Sequence, residues 1–405
     1  MHENRTSIAV IGGGIGGLTA ALCLRKFGID AHVYEQSCAL REVGGGINLT
    51  PNATRIIHAL GLGEALARLG VIPTHVHQRR WDDGRTLLRT PLGTEIEQHF
   101  GFRQYQCHRA GLLHLLSCAM PTEYVHLGHR LVSFSEHGNK VEAHFENGVR
   151  VRADALIGAD GIHSTVQRLL FGATPPHFTG CAAYRGLIPA EKVAHLALGL
   201  VLEATLGPRS HFVNYFVASK RLVNFVGIVE QATWKKETWA ERGDLAQARA
   251  AFSGWHNQVR ALLEAAEETF IWGLFDRAPL ARWSVGRVTL LGDACHPMLP
   301  FMTQGAAQAM EDGMTLAACL SKIVEIPKAL ARYQELRLPR TSFVRSLSAA
   351  NKARFHLPDG PEQAARDAKM AAGGTDFSIK AIGWLYGYDA ETVVETGRLG
   401  ILPAE

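Results

Sequence analysis

The sequence predicts an α/β fold in three connected parts: a parallel α/β unit, a β-rich domain inserted into it, and a helical C-terminal region. An apolar strand near the N-terminus runs into a glycine-rich loop and then a helix, which is the start of a strand–helix–strand unit. Alternating apolar and polar residues follow from about 180 to 270, and helical spacing dominates from about 306. The predicted boundaries are 1–178 and 273–350 for the α/β unit, 179–272 for the β-rich domain and 351–405 for the helical region.

The loop after the first strand has the glycine spacing of a dinucleotide-binding turn. Gly12, Gly14 and Gly17 follow the strand, and the next helix leads to a second strand that ends at Glu35. In such a turn the first glycine allows a tight bend, the second lets the backbone approach a pyrophosphate, and the third lets the helix pack closely on the strand. The helix N-terminus offers free N–H groups to phosphates, and Glu35 is placed to accept hydrogen bonds from a ribose. This unit alone does not distinguish FAD from NAD.

Composition excludes several classes of protein. The chain has 405 residues, 47% of them hydrophobic and 20% charged, and its formal charge of +4 is not gathered into a basic run of the kind that binds nucleic acid. Its seven cysteines lack metal-ligand or C-x-x-C spacing. No signal peptide and no apolar run of about 18 residues is visible. We therefore expect a cytoplasmic monomer or homodimer that binds no metal, nucleic acid or membrane.

Later segments place further motifs at strand ends. An apolar strand at 155–158 breaks into a glycine turn containing Asp160, and the strand at 288–291 is followed by Asp293. An aspartate between a buried strand and a helix start faces ligands in an open α/β sheet, which is the position predicted for Asp293. In the helical region, Pro339 is expected to kink or break its helix, and residues 357–376 read as a loop or a loosely held helix.

Three motifs in this order resemble a known family. Residues 12–17, 158–161 and 291–294 together resemble the single-component flavoprotein aromatic hydroxylases, which include 4-hydroxybenzoate, 3-hydroxybenzoate and salicylate hydroxylases. The resemblance covers nearly the whole chain and implies a Rossmann-type FAD-binding domain with a β-rich substrate domain. The sequence has no second strand-linked G-x-G-x-x-G. NADH or NADPH would therefore bind only transiently, as a co-substrate.

The resemblance also implies a set of FAD-binding residues. Their expected roles are contacts to the ADP half, to the phosphates and ribityl chain, and to the region around the isoalloxazine ring. The residues are Gly12, Gly14, Gly17 and Glu35 for the ADP half, Arg109, Asp160 and Asp293 for phosphate, nucleotide or ribityl contacts, and Arg41, Pro300 and Gly305 beside the ring.

In this family NAD(P)H reduces the flavin, O₂ adds at flavin C4a, and the resulting hydroperoxide transfers OH to an electron-rich ring. A phenolate reacts better than a phenol, so a base beside the hydroxyl is useful. His211 is our candidate base, with Tyr215 as a second hydrogen-bonding group, because both lie on one face of the strand at 210–217 and match a His-x-x-x-Tyr arrangement of the salicylate and 3-hydroxybenzoate branches.

The sequence defines the substrate less narrowly than it defines the cofactor. Salicylate hydroxylases commonly carry a histidine after the proline at position 300, whereas this chain has Phe301. A polar partner for the substrate would then come from elsewhere, such as Arg185 or Arg79. We expect a salicylate-like phenolic acid, with a hydroxypyridine carboxylate or other heteroaromatic as the alternative. A FAD-containing NAD(P)H oxidase or reductase without oxygen insertion, and a dinucleotide-binding protein without activity, are the rivals from other classes.

Overall fold

Two large sheets and a bundle of long helices carry the described part of the chain. The computed structural model describes residues 6–40, 44–234, 241–373 and 378–401. The strands are β1 Ser7–Ile11, β2 Asp30–Glu35, β3 Gly46–Leu49, β4 His75–Arg80, β5 Thr86–Pro91, β6 Tyr105–His108, β7 Val125–Leu127, β8 Leu131–His137, β9 Lys140–Phe145, β10 Arg150–Ala153, β11 Ala155–Gly158, β12 His177–Pro189, β13 Leu202–Gly207, β14 Ser210–Val217, β15 Leu222–Glu230, β16 Glu241–Gly243, β17 Thr269–Asp276, β18 Ser284–Val285 and β19 Val288–Leu290.

The helices follow the same order along the chain. They are α1 Ile15–Lys26, α2 Pro51–Ala59, α3 Gly63–Leu69, α4 Gly93–Phe100, α5 Arg109–Ala119, α6 Thr165–Phe171, α7 Leu245–Ala251, α8 Asn257–Ala265, α9 Gly305–Lys322, α10 Ile326–Phe355, α11 Pro361–Ala371, α12 Gly383–Tyr386 and α13 Val393–Thr396. Short 3₁₀ segments occur at Thr122–Tyr124, Ala190–Leu196, Gly292–Ala294 and Pro300–Met302.

The first sheet is built around β1. Its six strands lie in the order β18-β19-β11-β1-β2-β7, and all neighbours except β18 and β19 pair in parallel. The apolar strands β1 and β11 are almost fully buried, since helices cover the sheet. Parallel pairing brings the loops after β1, β11 and β19 to one edge of the sheet, which is where open α/β sheets bind ligands.

The second sheet has two distinct faces. Its eight strands lie in the order β16-β17-β12-β15-β14-β13-β4-β5. Phe212 of β14 points to the face covered by α7 and α8, where it packs on Phe252. His211 and Tyr215 point to the other face because side chains alternate along a strand. That opposite face is called the His211 face below.

This sheet draws on more of the chain than the β-rich segment predicted at 179–272. It includes β4 and β5, which lie within the range 1–178, and β17 extends beyond residue 272. Strand β4 joins the sheet by pairing in parallel with β13. Such a long-range pairing leaves no local signal in the sequence. The predicted α/β class agrees with the structure, and the domain boundaries stay a prediction.

Of the kink or break predicted at Pro339, the break is wrong. A single helix, α10, runs from Ile326 to Phe355 through this proline. The residues on both sides, Arg337 and Arg340, are fully buried and bound to acidic side chains of α9. These contacts fix the turns before and after Pro339, so they offset the hydrogen bond that proline cannot make. Part of the uncertain segment 357–376 forms helix α11.

Two smaller sheets complete the fold. Strands β3 and β6 pair antiparallel next to β14, and β8, β9 and β10 form an antiparallel sheet beside the first. Among the described residues, no helix combines the length and apolar character needed to cross a membrane.

Candidate cofactor and substrate site

The three glycines of the first loop have different surroundings. Gly12 has φ of +110°, and a Cβ there would collide with the carbonyl oxygen of Ala159. A Cβ on Gly17 would collide with the Gly12 carbonyl. A Cβ on Gly14, by contrast, would meet no atom within 4 Å. Gly12 and Gly17 therefore serve the fold, while Gly14 borders open space beside the N-terminus of α1.

Glu35 closes the same loop. One of its carboxylate oxygens accepts a hydrogen bond from Gly13 N at 2.7 Å, and the other accepts one from Ser37 N at 2.8 Å. Each oxygen retains a second lone pair that a hydroxyl group could use. The open space at Gly14, the uncapped N-terminus of α1 and this acid form a cradle with the chemistry that the ADP half of FAD requires.

The Asp160 carboxylate accepts hydrogen bonds within the turn that follows β11. Ser164 Oγ donates to one carboxylate oxygen at 2.5 Å, and the backbone N–H groups of Thr165 and Val166 donate to the other at 2.7 and 3.2 Å. Burial raises the pKa of Asp160, and these hydrogen bonds act in the opposite direction. The carboxylate thus holds the N-terminus of α6 next to the glycine loop.

Asp293 lies in the 3₁₀ turn after β19, at the same sheet edge. Solvent reaches its side chain, yet the surrounding protein raises the pKa of this carboxyl, with His296 and Arg109 acting in the opposite direction. A group that water reaches but protein surrounds belongs to the wall of a cleft. Arg109, the first residue of α5, therefore lies close enough to Asp293 to lower its pKa.

Two other predicted residues lie on the loop that leads into α9. Pro300 is exposed and begins a 3₁₀ turn, and Gly305 is the first residue of α9. Arg41 lies outside the described residues.

A fully buried ionic cluster, not predicted from the sequence, supports the Asp293 turn. It consists of Glu311 and Asp312 of α9 and Arg337 and Arg340 of α10, joined by contacts of 2.6–2.7 Å. Burial would raise the pKa of Glu311, but Arg340 and Arg337 outweigh it and lower this pKa.

Asp312 connects the cluster to the turn. It accepts a hydrogen bond from Gly292 N at 3.0 Å, and its carboxylate lies 2.5 Å from His296 Nε2. His296, Asp312 and Cys295 bring possible metal ligands together, but Arg337 already neutralises the Asp312 carboxylate at 2.7 Å. The ionic cluster therefore holds the Asp293 turn in place through Asp312.

His211 is buried on its face of the second sheet, at 3% exposure. Its ring centre lies 5.3 Å from that of Phe301 and 5.5 Å from that of Phe355. Its Nδ1 lies 2.8 Å from His356 Nε2, a partner that the sequence did not reveal. Desolvation, followed by the influence of His356, lowers the pKa of His211 well below its ordinary value. His211 is therefore a neutral imidazole in apolar surroundings.

Tyr215 lies four residues further along β14, on the same face as His211. It is buried, and a Cβ on Gly46 of β3 would fall 2.6 Å from its hydroxyl oxygen. The neighbouring Asn224 accepts a hydrogen bond from Gly46 N at 2.6 Å. Burial raises the pKa of Tyr215, so the phenol stays protonated. Tyr215 and Asn224 join the second sheet to the strand pair β3–β6, which leads into Arg109.

The two arginines considered as substrate partners lie on opposite faces. Arg79 pairs across strands with Thr205, which pairs with Phe212, so it shares the face of Phe212. Arg185 pairs with Val226, which pairs with Val213, and therefore lies on the His211 face. Arg79 also binds Gln258 of α8 at 2.8 Å. Only Arg185 of this pair shares a surface with His211.

Comparison with known proteins agrees with this geometry. The family model described as FAD binding domain matches residues 5–346. The chain belongs to the FAD-dependent aromatic hydroxylases. The predicted resemblance, the fold class and the FAD cofactor are thereby confirmed, and NAD(P)H is the co-substrate typical of such hydroxylases.

Individual relatives match most of the length of this hydroxylase. The chain is 40% identical over 394 residues to 3-amino-4-hydroxybenzoate 2-monooxygenase PtmB3 of Streptomyces platensis, covering 97% of this chain and 98% of that protein. It is 36% identical to 6-hydroxynicotinate 3-monooxygenase of Bordetella bronchiseptica, covering 86% and 92%. A salicylate hydroxylase substrate complex matches its fold with a TM-score of 0.81 at 28% identity, covering 99% of both chains. The hydroxylase is therefore an aromatic monooxygenase.

Proposed function

We propose that this hydroxylase uses NADH or NADPH and O₂ to hydroxylate a phenolic aromatic acid, with His211 accepting the phenol proton. The reaction balances as aromatic C–H, O₂, NAD(P)H and a proton giving aromatic C–OH, NAD(P)⁺ and water. One observation carries the role of His211: a neutral imidazole whose Nδ1 is held by His356 is buried on the His211 face beside Phe301. Its Nε2 makes no hydrogen bond within the described part of the chain and is the atom left to accept a proton.

FAD, when bound, would take electrons from NAD(P)H and activate O₂ for transfer of one oxygen atom to the substrate. The residues proposed to hold its ADP half are Gly12, Gly14, Gly17 and Glu35, since they form the cradle described above. Asp293 and Arg109 are proposed to bind the remainder through the turn after β19 and the start of α5. Asp160 would contribute through the shape of its turn, because its carboxylate is already occupied.

The proposed substrate carries a carboxylate that Arg185 binds. Arg185 is buried on the His211 face and lies against the ring of Trp272, with the guanidinium carbon 4.2 Å from the ring centre. Two strand spacings of about 4.8 Å separate its strand from β14. An aromatic ring with an acid at one end and a hydroxyl at the other could lie between Arg185 and His211.

Within this class we propose 3-amino-4-hydroxybenzoate as the first compound to test. The support is the relative that is 40% identical over nearly its full length and bears this substrate in its name. Phe301, packed on His211, adds no polar group at the place where salicylate hydroxylases commonly carry histidine. This difference favours a substrate whose polar groups meet His211 and Arg185.

The experiment is NADH and NADPH oxidation by the FAD-loaded protein with 3-amino-4-hydroxybenzoate, 6-hydroxynicotinate and salicylate. Products are identified by mass after reaction under ¹⁸O₂. We expect a product with one ¹⁸O atom, formed in proportion to the NAD(P)H consumed. Hydrogen peroxide in place of a hydroxylated product with every compound would support an oxidase instead. His211→Gln should keep FAD and lose about 10²–10⁴-fold in hydroxylation rate near neutral pH, and full turnover in this variant would exclude His211 as the base.

A further inference from the structure

His211 stands at the inner end of a hydrogen-bonded chain that reaches the protein surface. Its Nδ1 lies 2.8 Å from His356 Nε2, and His356 Nδ1 lies 3.3 Å from a carboxylate oxygen of Glu230. His211 and His356 are 3% and 4% exposed, whereas the Glu230 side chain is 32% exposed. The three groups therefore connect the interior of the His211 face to solvent.

The carboxylate fixes the protonation pattern of both rings. Because the Glu230 carboxylate can only accept a hydrogen bond from His356 Nδ1, this nitrogen carries the hydrogen and His356 Nε2 has the lone pair. His211 must then donate from Nδ1 to His356, which leaves the lone pair of His211 on Nε2. The surface carboxylate thus sets which nitrogen of the buried base is free to accept a proton.

Burial makes it costly for His211 to keep a proton. Desolvation lowers its pKa far below the ordinary value, so an imidazolium at this position is unfavourable. His356 is also desolvated and its pKa is lowered to about 4, with Glu230 raising it and Lys352 lowering it. A chain that passes the proton outward avoids storing a positive charge on either ring.

The surroundings of His356 support such transfer. His356 is the C-cap of α10, where the partial negative charge of the helix end favours a passing positive charge. The other titratable groups nearby are Lys352, bound to the carbonyl of Thr179 at 2.6 Å, and Arg209, 3.5 Å from Glu230. The thiol of Cys181 faces Lys352 and Glu230, and burial raises its pKa, so it stays neutral.

We infer that His356 and Glu230 form a proton relay that connects His211 to solvent. The substrate O–H bond breaks as the proton joins His211 Nε2. The Nδ1 proton of His211 moves to His356 Nε2, and the Nδ1 proton of His356 moves to the Glu230 carboxylate and on to water. The reverse transfer, when the product phenolate regains a proton, restores both starting tautomers. This inference rests on the proposed role of His211 as the base.

The test separates proton transfer from the later steps. FAD-loaded enzyme without NAD(P)H is mixed rapidly with 3-amino-4-hydroxybenzoate, and phenolate absorbance and proton release to an indicator dye are followed. In His356→Gln we expect both signals to slow by about 10²-fold with unchanged substrate affinity, and added imidazole to restore part of the rate. Flavin reduction, measured separately by mixing the same variant with NAD(P)H, should be unchanged. Glu230→Gln should show a smaller loss. His256→Gln, a buried histidine near the opposite face of the sheet, is the matched control and should match the wild type.

The outcomes distinguish the relay from the base. Wild-type rates in His356→Gln, together with no phenolate in His211→Gln, would overturn the relay and leave His211 as the base. Wild-type rates in both variants would overturn both proposals. If His356→Gln does not fold, a measurement on the wild type tests the relay instead. The rate of substrate deprotonation, plotted against the fraction of D₂O in H₂O/D₂O mixtures, should follow a curve, because several protons move together. A linear plot would refute the relay.

Discussion

Replacing Arg337 with methionine should destabilise the protein more than any surface arginine does. Arg337 is fully buried and donates to Asp312 at 2.7 Å, to Glu311 at 2.6 Å and to the side chain of Gln308 at 2.8 Å. Methionine fills much of the volume but leaves two adjacent buried carboxylates with one cation fewer. Removing one partner of a buried ion pair costs about 3–5 kcal/mol, and we expect a loss of this size.

Arg332 on the same helix provides a matched control. It pairs with Glu335 at 3.2 Å, and the two side chains are 36% and 62% exposed. Arg332→Met should therefore cost less than about 1 kcal/mol. Both variants are compared by urea unfolding at saturating FAD, because bound cofactor itself stabilises the folded state. Equal losses in the two variants would refute the assignment of a large energetic role to the buried cluster.

The pH dependence gives a second check on the same residues. Burial would raise the pKa of Asp312, but His296 and Arg337 outweigh it and lower the pKa to about 2, below the unfolded value of about 3.9. A depressed pKa contributes stability that is complete above the unfolded value and is lost as the pH falls through the folded value. The wild type should lose this contribution between about pH 4 and pH 2, and Arg337→Met should lose less over that range.

Three further changes test the cofactor and substrate contacts. Gly14→Ala should weaken FAD binding by at least about 10-fold without changing the unfolding of the apoprotein, whereas Gly17→Ala should destabilise the apoprotein by about 1–3 kcal/mol. Fluorescence titration with FAD measures the first effect and thermal unfolding the second. The same pattern of changes in both variants would contradict the separate roles of the two glycines. Arg185→Met should raise KM for an aromatic acid by about 10-fold or more, and Arg79→Met, on the opposite face, should not; equal KM changes in steady-state assays would argue against Arg185. Asp293→Asn should reduce FAD retained after dialysis, and full retention would remove this residue from the site.

The parts of the site that depend on a local sequence pattern could be predicted from the sequence alone. The roles of Gly12 and Gly17 in a tight turn follow from spacing, and the structure shows the backbone contacts that require glycine there. The position of Asp293 after a buried strand follows from strand and turn signals alone. His211 and Tyr215 share a face because side chains alternate on a strand, which needs no tertiary information.

Contacts between distant segments could not be predicted in this way. Charged side chains are mostly exposed, and only the packing of α9 on α10 shows that Glu311 and Arg337 are buried and neutralise each other. His356 lies 145 residues from His211, in the part of the chain, 351–405, that was predicted only as a helical region.

Helix α10 connects these separate features. Near its middle, Arg337 and Arg340 hold the acidic residues behind the Asp293 turn. Further along, Ser348 donates to the carbonyl of Leu299 at 2.5 Å and Asn351 to that of Phe301 at 3.4 Å. His356 caps the helix end and contacts His211. The 19 residues from position 337 to 356 span about 28 Å of helix.

A continuous α10 therefore fixes the distance between the proposed cofactor-binding turn and the proposed base. A break at Pro339 would uncouple the buried ionic cluster from Phe301 and His211. It also follows that changes at the cluster act on the His211 end of the helix. A loosened cluster should alter the coupling of NAD(P)H oxidation to hydroxylation, because the proposed cofactor-binding turn and the proposed base would no longer keep a constant separation.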